Sequence, residues 1–339
     1  MTIKDIAREC GVAVGTVSRV LNNHPDVSEK TRKKVLEIVD KYDFVLNRNA
    51  RMLKMQDGKF IVIIVKGSSS ILLNSLLEII QKRLEQLPYN ANVVVLDEYD
   101  NEALEARKIY YEQKPLGMIF LGGNPETFKD AFSEIHIPCV IISNMAENTD
   151  NINLSSVSTD DIIAAAYSAQ YLVDNGHRKI GVIGGDIKSS DMSLRRYMGF
   201  FEVMDAAGCA FDYSKMYATA KYSFVGGYAA MEDLLSKCPD ITAVFTMSDV
   251  MAIGACRKLK EMGRSVPEEI SVVGFDGIPI AEYYCPKITT IRQKVEELSQ
   301  NGLDILIDCI EKGVNPVHRT IPFEFIEGES VKRICLQEK

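Results

Sequence analysis

The sequence predicts an α/β protein with an N-terminal three-helix head of helix-turn-helix type, a hinge, and two doubly wound parallel-sheet subdomains. Residues 1–42 contain three short apolar stretches at helical spacing. From Phe60 onward, short β-branched runs alternate with amphipathic helical stretches, which is typical of doubly wound α/β layers. About ten such runs are more than one sheet usually holds, so two similar subdomains are expected.

Length and charge fit this division. A chain of 339 residues is too long for one ordinary core. Its 46% hydrophobic and 25% charged residues exclude wholesale disorder and fibrous structure. Residues 1–59 carry 12 Lys and Arg against 8 Asp and Glu, a net of +4, which leaves 27 against 39, a net of −12, for the rest. A basic head on an acidic body fits nucleic-acid binding by the head, although a surplus of this size also arises by chance.

The cysteine pattern and the hydropathy of the chain predict a cytoplasmic protein without a metal site. The eight cysteines are scattered singly, without a C-x-x-C pair, and there are only four histidines. We therefore expect neither a metal site nor a cofactor, but buried thiols in a reducing cytoplasm. The N-terminus lacks the apolar core of a signal peptide, and no stretch approaches the eighteen or so apolar residues of a membrane span.

The first two helices should be joined by a tight turn. Thr2 can cap a helix over residues 3–10, and Gly11 supplies the left-handed residue that ends it. The second apolar run consists of Val14, Val17, Val20 and Leu21. Two short helices so close in sequence cannot lie antiparallel and must cross steeply, as in a helix-turn-helix.

A third helix is expected from Ser28 to about Tyr42, with three apolar residues closing the small core. Those residues are Val35, Leu36 and Val39. The outward positions of the second helix carry polar side chains, namely Thr16, Ser18, Arg19 and Asn22. Such donors reach phosphates and base edges, and Arg19 can form a two-pronged bond to guanine. On pattern alone, a generic three-helix cap with solvated polar residues is the alternative.

Four motifs of the head carry a family resemblance. They are Thr2-Ile3-Lys4-Asp5-Ile6-Ala7, Gly11-Val12, Gly15-Thr16-Val17-Ser18-Arg19-Val20-Leu21-Asn22 and Val27-Ser28-Glu29-Lys30-Thr31-Arg32. With them, residues 1–46 resemble the DNA-binding head of the LacI/GalR family of bacterial transcription regulators. The resemblance implies that the second helix enters the major groove, where the matching DNA-contact residues are Val14, Gly15, Thr16, Ser18 and Arg19. It also implies that the DNA backbone is held by Thr2, Asn22, Ser28 and Thr31.

Two positions of the second helix depart from the family pattern. Ala13 stands where the family usually has a helix-capping Ser, and Val14 and Gly15 are poor readers of bases. Fewer direct hydrogen bonds should follow at those two bases. Specificity there would rest on contact with a thymine methyl or on DNA shape.

Residues 47–59 are expected to form a conditional hinge. The segment from Asn47 to Lys54 could form about a turn and a half of helix, too short to be stable alone. The resemblance implies that this hinge folds on operator DNA, with contacts from Asn47, Ala50 and Arg51. Leu53 matches the leucine that enters the minor groove and kinks the site. Without the resemblance, the segment reads as a polar linker.

The body, residues 60–339, contains runs that predict buried parallel strands. They are Ile61 to Val65, Val93 to Leu96, Met118 to Leu121, Val140 to Ile142, Ile180 to Ile183, Val244 to Phe245 and Ser271 to Val273. Ligands bind in doubly wound folds at the carboxyl ends of such strands. An enzyme is not supported, since the glycine pairs after two strands lack phosphate-loop spacing and no G-x-S-x-G elbow is present. His177, between a helix stop and a strand start, is taken as structural.

The resemblance extends through the body. The matching segments are Val157 to Asp160, Gly176 to Gly181, Arg196 to Phe200, Ser248 to Gly254, Val266 to Asp276 and Pro286 to Ile291. They imply the periplasmic-binding-protein-like fold of type I, in which the chain crosses between subdomains near residues 159, 289 and 320. Subdomain N would then comprise about 60–159 plus 290–319, and subdomain C about 160–288 plus 320–339. The last strand is expected at residues 320–326.

The resemblance also implies a sugar site between the subdomains. Arg196 and Asp276 occupy positions that bind vicinal hydroxyls, since Arg donates a fork of N–H groups and Asp accepts. The alternatives are a surface cation on a helix for Arg196 and a turn residue for Asp276.

Further residues are assigned to the same cleft. Tyr222 aligns with an aromatic residue that often stacks on the ligand, and Leu72 is also assigned to the ligand. Ser143 and Ser248 stand where longer polar residues are frequent, which suggests a ligand bulkier or less hydrogen-bonded than a simple hexose. Lys66 ends the first strand of the body, and if it faces the cleft it would favour an acidic or phosphorylated sugar; it could equally point to solvent.

The sequence as a whole predicts a cytoplasmic, homodimeric repressor. It would bind pseudopalindromic operator DNA, at the nucleoid, under the allosteric control of a small ligand, most simply a sugar. Whether the ligand is an inducer or a corepressor is left open. A cytosolic small-molecule-binding protein without a DNA role, and a purine- or nucleoside-responsive corepressed regulator, are the alternatives. The chain shows no leucine heptad near its end, so a C-terminal coiled-coil tetramer is not expected.

Overall fold

The computed structural model describes residues 3–21, 27–42, 59–67, 70–128, 132–146 and 153–334. The chain divides into two compact units, residues 1–58 and 59–339. The predicted roles of Thr2, Asn22, Asn47, Ala50, Arg51 and Leu53 lie outside the described residues.

The first unit contains three helices: α1 (Ile3–Cys10), α2 (Val14–Leu21) and α3 (Glu29–Lys41). Gly11 ends α1 in the left-handed conformation, at φ 62°. Ile6, Val17 and Val35 are fully buried and form the centre of the core. One core assignment was wrong: Leu36 is 41% exposed, because the buried face of α3 runs through Val35, Ile38 and Val39.

The second unit alternates strands with helices. Its elements begin with β1 (Phe60–Lys66), α4 (Ile71–Leu84), β2 (Asn90–Leu96), α5 (Glu102–Gln113), β3 (Gly117–Leu121), β4 (Cys139–Ile142), β5 (Leu154–Ser158), α6 (Asp161–Asp174), β6 (Ile180–Gly184) and α7 (Asp191–Ala206). They continue with α8 (Tyr213–Met216), β7 (Tyr217–Thr219), α9 (Phe224–Lys237), β8 (Ala243–Thr246), α10 (Asp249–Glu261), β9 (Ser271–Asp276), α11 (Pro279–Tyr283), β10 (Thr289–Arg292), α12 (Val295–Lys312), β11 (His318–Thr320) and β12 (Glu324–Ile326).

The strands form two six-stranded sheets, which confirms the predicted fold class. The first sheet has the order β11-β5-β4-β3-β1-β2, with all neighbours parallel. The second has the order β12-β10-β9-β8-β6-β7, parallel except for the antiparallel pair of β10 and β12. We call the first sheet with α4, α5 and α12 the first lobe, and the second sheet with α6, α7, α9 and α10 the second lobe.

The chain passes between the lobes three times, and one passage differs from its expected position. Residues 290–292 were assigned to the first lobe, but β10 pairs with β9, so this crossing lies between Arg292 and Val295. The expected strand over residues 320–326 is two strands, because β11 joins the first sheet and β12 the second. The β-branched run at 288–291 fits either sheet equally well, so hydropathy alone could not place it.

Both faces of the first sheet are buried, which explains its continuous apolar strands. Along β1, Val62 and Ile64 pack on the face that α5 covers. Ile61, Ile63 and Val65 pack on the opposite face, which α4 and α12 cover. With helices on both faces, the carboxyl edge of the sheet is left open for a ligand site.

Candidate functional site

The first unit places a short helix after a tight turn, as the sequence predicts. The N–H of Val12 donates to the Ala7 carbonyl (3.0 Å), which closes the turn that leads into α2. On α2, Gly15 and Arg19 are exposed and Thr16 is half-buried. Only the backbone of Val14 and Ser18 is described. Arg19 therefore stands on the outer surface of α2, where it is free of the core.

The start of α3 is capped by the pair assigned to the DNA backbone. The hydroxyls of Ser28 and Thr31 lie 2.9 Å apart, and the Thr31 N–H donates to Ser28 Oγ (3.4 Å). Ser28 precedes the first residue of α3, so the two hydroxyls lie at the N-terminal end of this helix. A helix N-terminus with free amides is a favourable position for a phosphate.

A cavity of about 180 Å³ lies between the two lobes of the second unit. The carboxyl ends of both sheets contribute to its lining: Lys66 at the end of β1, Ser143 after β4, Gly185 after β6 and Asp276 at the end of β9. We call this cavity the cleft. Six of the seven predicted ligand residues line it: Lys66, Leu72, Ser143, Arg196, Tyr222 and Asp276. The seventh, Ser248, lines a small adjoining cavity together with Leu72, Tyr222 and Asp276.

Arg196 of α7 is the central cation of the cleft. It is 1% exposed, and its Nε donates to Oδ1 of Asp161 (2.8 Å). Its Nη1 lies 3.7 Å from Oδ1 of Asp276 and donates to the Met247 carbonyl. The guanidinium also stacks over the Phe275 ring, 3.7 Å from its centroid. The guanidinium is thus fixed in place before a ligand arrives.

Asp276 is held in an unusual backbone conformation. Its φ is 109°, in the left-handed region that side chains rarely adopt. Gln293 Nε2 donates to its Oδ1 (3.0 Å), and the Gln293 N–H donates to its carbonyl. Burial raises the pKa of Asp276 to about 6, although Arg196 and Gln293 oppose the rise. This carboxyl is a hydrogen-bond acceptor whose charge depends on pH near neutrality.

A further buried carboxylate supports this corner. Asp249 is 0% exposed and accepts from Thr290 Oγ1 (2.6 Å) and from the Ile278 N–H (2.8 Å). Burial raises the pKa of Asp249 well above its usual value, and the charge of Asp276 adds to the rise. Asp249 thereby ties α10 to β10 and to the segment after Asp276, and so positions the ligand-facing carboxyl.

The other assigned residues take distinct positions. Tyr222 is half-buried, and its hydroxyl lies 2.9 Å from Ser193 Oγ on α7. Ser143 is 4% exposed at φ 78°, directly after β4. The Ser248 hydroxyl caps α10 by accepting from the Met251 N–H (3.4 Å). Ser248 is therefore already occupied as a helix cap, so its assignment to the ligand rests on proximity alone.

Lys66 faces the cleft, but its charge is balanced. Its Nζ lies 2.5 Å from Oε2 of Glu102, and the two side chains are 15% and 1% exposed. Glu102 Oε1 accepts from the Asn124 N–H (2.5 Å) and from Thr127 Oγ1 (3.2 Å). Of the two positions that the sequence left open for Lys66, the structure shows the one in the cleft lining. The ammonium already has a buried carboxylate partner, so the preference for an acidic ligand stays a prediction that this pairing does not favour.

Direct contacts join the two lobes at the cleft mouth. Asn124 Nδ2, in the first lobe, donates to the Ser189 carbonyl of the second lobe (2.8 Å). Lys221 Nζ, in the second lobe, lies 3.6 Å from Asp97 and 4.4 Å from the Tyr99 ring centroid in the first. In this arrangement polar contacts between the lobes partly close the mouth of the cleft.

Sequence reasoning missed the partners of the assigned cations. Asp161 and Glu102 both stand at the first position of a helix, directly after a capping residue (Asp160 and Asn101). That position gives each a reason to be acidic without reference to a ligand. Glu102 lies 36 residues from Lys66, so only the pairing of β1 with its neighbours brings them together.

The described residues contain neither a candidate metal site nor a helix suited to span a membrane. Among those residues, no group of His, Cys, Asp and Glu side chains could hold a metal ion. None of the described helices is both long and apolar enough to span a membrane.

Comparisons with known proteins agree with this architecture. Residues 2–47 match the family described as bacterial regulatory proteins, lacI family, and residues 169–331 match the periplasmic binding protein-like domain. The HTH-type transcriptional regulator MalR of Clostridium butyricum is 33% identical over 97% of this chain and 99% of its own length.

Two solved structures have a similar fold. A transcriptional regulator CelR–cellobiose complex is 25% identical with a TM-score of 0.72, covering 97% of this chain and 99% of that one. The lac repressor dimer bound to operator and the anti-inducer ONPF has a TM-score of 0.72 at 24% identity, covering 98% and 99%.

Proposed function

Because this chain belongs to the LacI family of bacterial regulatory proteins, we propose that it is a repressor whose affinity for operator DNA is controlled by a small ligand in the cleft. The first unit would supply the DNA contacts, through Arg19 on α2 and the hydroxyls at the start of α3. The second unit would bind the ligand, for which a sugar or sugar derivative fits best.

The observation that carries the ligand assignment is the fixed Arg196 beside Asp276. Arg196 is held by Asp161 and by stacking on Phe275, and both Arg196 and Asp276 line the cleft. A guanidinium donor beside a carboxylate acceptor matches a pair of vicinal hydroxyls. Apolar side chains in the same lining, such as Leu72 and Met192, can pack against a sugar ring.

Partner and location follow from the same proposal. A homodimer would present two copies of α2 to a pseudopalindromic operator, and the related lac repressor structure is a dimer on its operator. A cytoplasmic, nucleoid-bound protein without catalytic activity is consistent with relatives that are named as transcriptional regulators. A purine or nucleoside corepressor remains the second ligand candidate because the cleft also carries the aromatic Tyr222 and Tyr99, on which a base can stack.

The test selects operator sequences from a random duplex pool and then measures their affinity by gel shift, with and without candidate sugars and purines. We expect a palindromic consensus, an affinity that changes with one ligand class, and a steep dependence on salt. Arg19→Ala should reduce the preference for this consensus over random DNA by roughly tenfold or more. Its ligand affinity should be unchanged.

Lys33→Ala is the matched control, since it removes an exposed cation of α3 rather than of α2. It should weaken binding to all sequences alike. A protein that binds consensus and random DNA equally, or that shows no salt dependence, would instead be a ligand-binding protein without a DNA role.

A further inference from the structure

Two basic residues line the described part of the cleft, and both are already paired with carboxylates. Arg196 is paired with Asp161 at 2.8 Å and with Asp276 at 3.7 Å. Lys66 is paired with Glu102 at 2.5 Å. At the mouth, Lys221 is paired with Asp97. An anionic ligand would therefore have to compete with a protein carboxylate for every cation in the described part of the lining.

The acidic side chains of the lining outnumber these cations. Glu98, Asp186 and Asp276 line the cleft, against Lys66 and Arg196. Asp186 accepts from the Lys188 N–H and the Ser189 hydroxyl, which does not cancel its charge. Among the described residues, Glu102 and Asp161 lie directly behind the lining, and with them the carboxylates in and behind the lining exceed the cations there by five to two. This surplus of acidic groups disfavours an anion in the cleft.

Glu102 differs from the other acids because it lies behind Lys66 and is hidden from the ligand. Its side chain is 1% exposed, and the Lys66 side chain is 15% exposed toward the cleft. Glu102 therefore cannot contact a ligand directly, and its main effect on one is to balance the charge of Lys66, which lines the cleft. If Glu102 were neutral, Lys66 would be a buried cation without a partner, and an incoming anion would supply the missing charge.

We propose that Glu102 is a specificity-determining residue of the cleft: by neutralising Lys66 it excludes anionic ligands and restricts the site to an uncharged, hydroxyl-bearing compound. Lys66 keeps N–H groups that can donate to a ligand hydroxyl while its charge stays balanced. This inference rests on the proposed function only in taking the cleft as the ligand site.

The first test uses inorganic phosphate as the probe, so it requires no knowledge of the natural ligand. Binding of phosphate to the full-length protein is measured by calorimetry at constant ionic strength, for wild type, Glu102→Gln and the double variant Glu102→Gln with Lys66→Met. Gln keeps an oxygen for Asn124 and Thr127 but removes the charge. We expect Glu102→Gln to bind phosphate at least about tenfold more tightly than wild type, because one carboxylate charge beside the ammonium is gone.

The double variant should return to the wild-type affinity, since it removes the cation as well. It also serves as the control for phosphate bound elsewhere, including at the head. The proposal is overturned if Glu102→Gln gains no affinity over wild type, or if the gain persists in the double variant. Far-ultraviolet circular dichroism verifies that each variant is folded.

A second measurement needs no variant, and it tests the exclusion of anions even if Glu102→Gln does not fold. The wild-type protein is titrated with glucose, glucuronate and glucose 6-phosphate, and with galactose, galacturonate and galactose 6-phosphate. We expect each acid or phosphate to bind at least about tenfold more weakly than its neutral parent. An acid or phosphate that binds more tightly than its parent overturns the proposal.

Failure of the proposed function would look different. In that case no compound, neutral or charged, would change the affinity for operator DNA. The phosphate comparison would still report whether Glu102 neutralises Lys66.

Discussion

Arg196 is the residue on which the cleft most depends, because it balances two buried carboxylates. Replacing it by Met would leave Asp161 and Asp276 without their cation. We expect Arg196→Met to lower the free energy of unfolding of the second unit by about 3–5 kcal/mol and to abolish ligand binding. Urea unfolding followed by circular dichroism, together with calorimetric titration, measures both effects.

The neighbouring Arg195 provides the matched control. It pairs with Asp191 at 2.8 Å, but both side chains remain partly exposed, at 25% and 22%. Arg195→Met should therefore change the free energy of unfolding by no more than about 1 kcal/mol and leave ligand binding intact. If both variants lost stability and ligand affinity equally, the ion pairs of Arg196 would not be what stabilises the cleft.

Asp276 makes ligand binding dependent on pH. Burial raises its pKa to about 6 in the folded protein, and a ligand hydroxyl donates best to the ionised carboxylate. If the free protein titrates with that pKa, the ionised fraction falls about tenfold between pH 7 and pH 5, and we expect the affinity for a neutral sugar to fall equally. Asp276→Asn should bind more weakly, with a flat pH profile over that range. A wild-type profile as flat as that of Asp276→Asn would contradict this role.

The same pKa sets the sign of the effect on stability. The folded value of about 6 lies above the unfolded value of 3.8, so the folded state holds its proton more tightly. The contribution of Asp276 to the free energy of unfolding therefore declines as pH rises from about 4 to 6. Asp276→Asn should remove this part of the pH dependence.

The sequence predicted which residues line the cleft better than it predicted which side chains pair with one another. The motif around Arg196 and that ending in Asp276 predicted two side chains that the structure brings within 3.7 Å of one another. Lys66 was predicted as a cation of the cleft, but whether its charge is available to a ligand depends on Glu102. That partner is fixed by tertiary packing across 36 residues of sequence, which no local pattern reports.

At the scale of elements, close helix packing in the second lobe depends on a glycine. In α7, a Cβ at Gly199 would overlap the Ile162 carbonyl oxygen of α6. We expect Gly199→Ala to force the two helices apart and lower the free energy of unfolding by about 1–3 kcal/mol. Gly15 of α2 provides the contrast, since an added Cβ there meets no atom within 4 Å.

Gly15→Ala should stabilise the head by up to about 1 kcal/mol, because alanine favours a helix more than glycine does. Urea unfolding of both variants measures whether the free energy of unfolding rises for Gly15→Ala and falls for Gly199→Ala. A destabilised Gly15→Ala head, or an unchanged Gly199→Ala body, would contradict this account of the two helices.

Elements were predicted better than their membership of a sheet. The seven apolar runs that predicted buried strands each lie within an observed strand, because consecutive buried β-branched residues are typical of parallel strands, whereas the strand expected at residues 320–326 is two strands. The run at residues 288–291 shows the limit, since pairing with β9 rather than hydropathy places it in the second sheet. Leu36 shows the same limit for helices, because the buried face of α3 runs through Val35, Ile38 and Val39, and Leu36 lies outside that face although it is equally apolar.

At the scale of the whole molecule, the charge division separates the two activities. The first 59 residues carry +4 and the remainder −12, so the body repels DNA and binding should be confined to the head and hinge. The boundary between compact units at residues 58 and 59 falls at the same place. The body should therefore function as a ligand-binding protein when it is separated from the head.

A truncated protein of residues 59–339 tests this separation together with the coupling between the activities. It contains the complete cleft, so we expect it to bind ligand as tightly as the full-length protein does without DNA. Saturating operator should then change ligand affinity in the full-length protein by the same factor by which ligand changes operator affinity, because such coupling is reciprocal. Operator should leave the truncated protein unaffected. Calorimetric titrations of both proteins with ligand, in the presence of operator or of a scrambled duplex, measure this factor. If operator changed the ligand affinity of the truncated body, DNA contacts would lie outside the head. If operator changed the ligand affinity of neither protein, the ligand would not control operator binding.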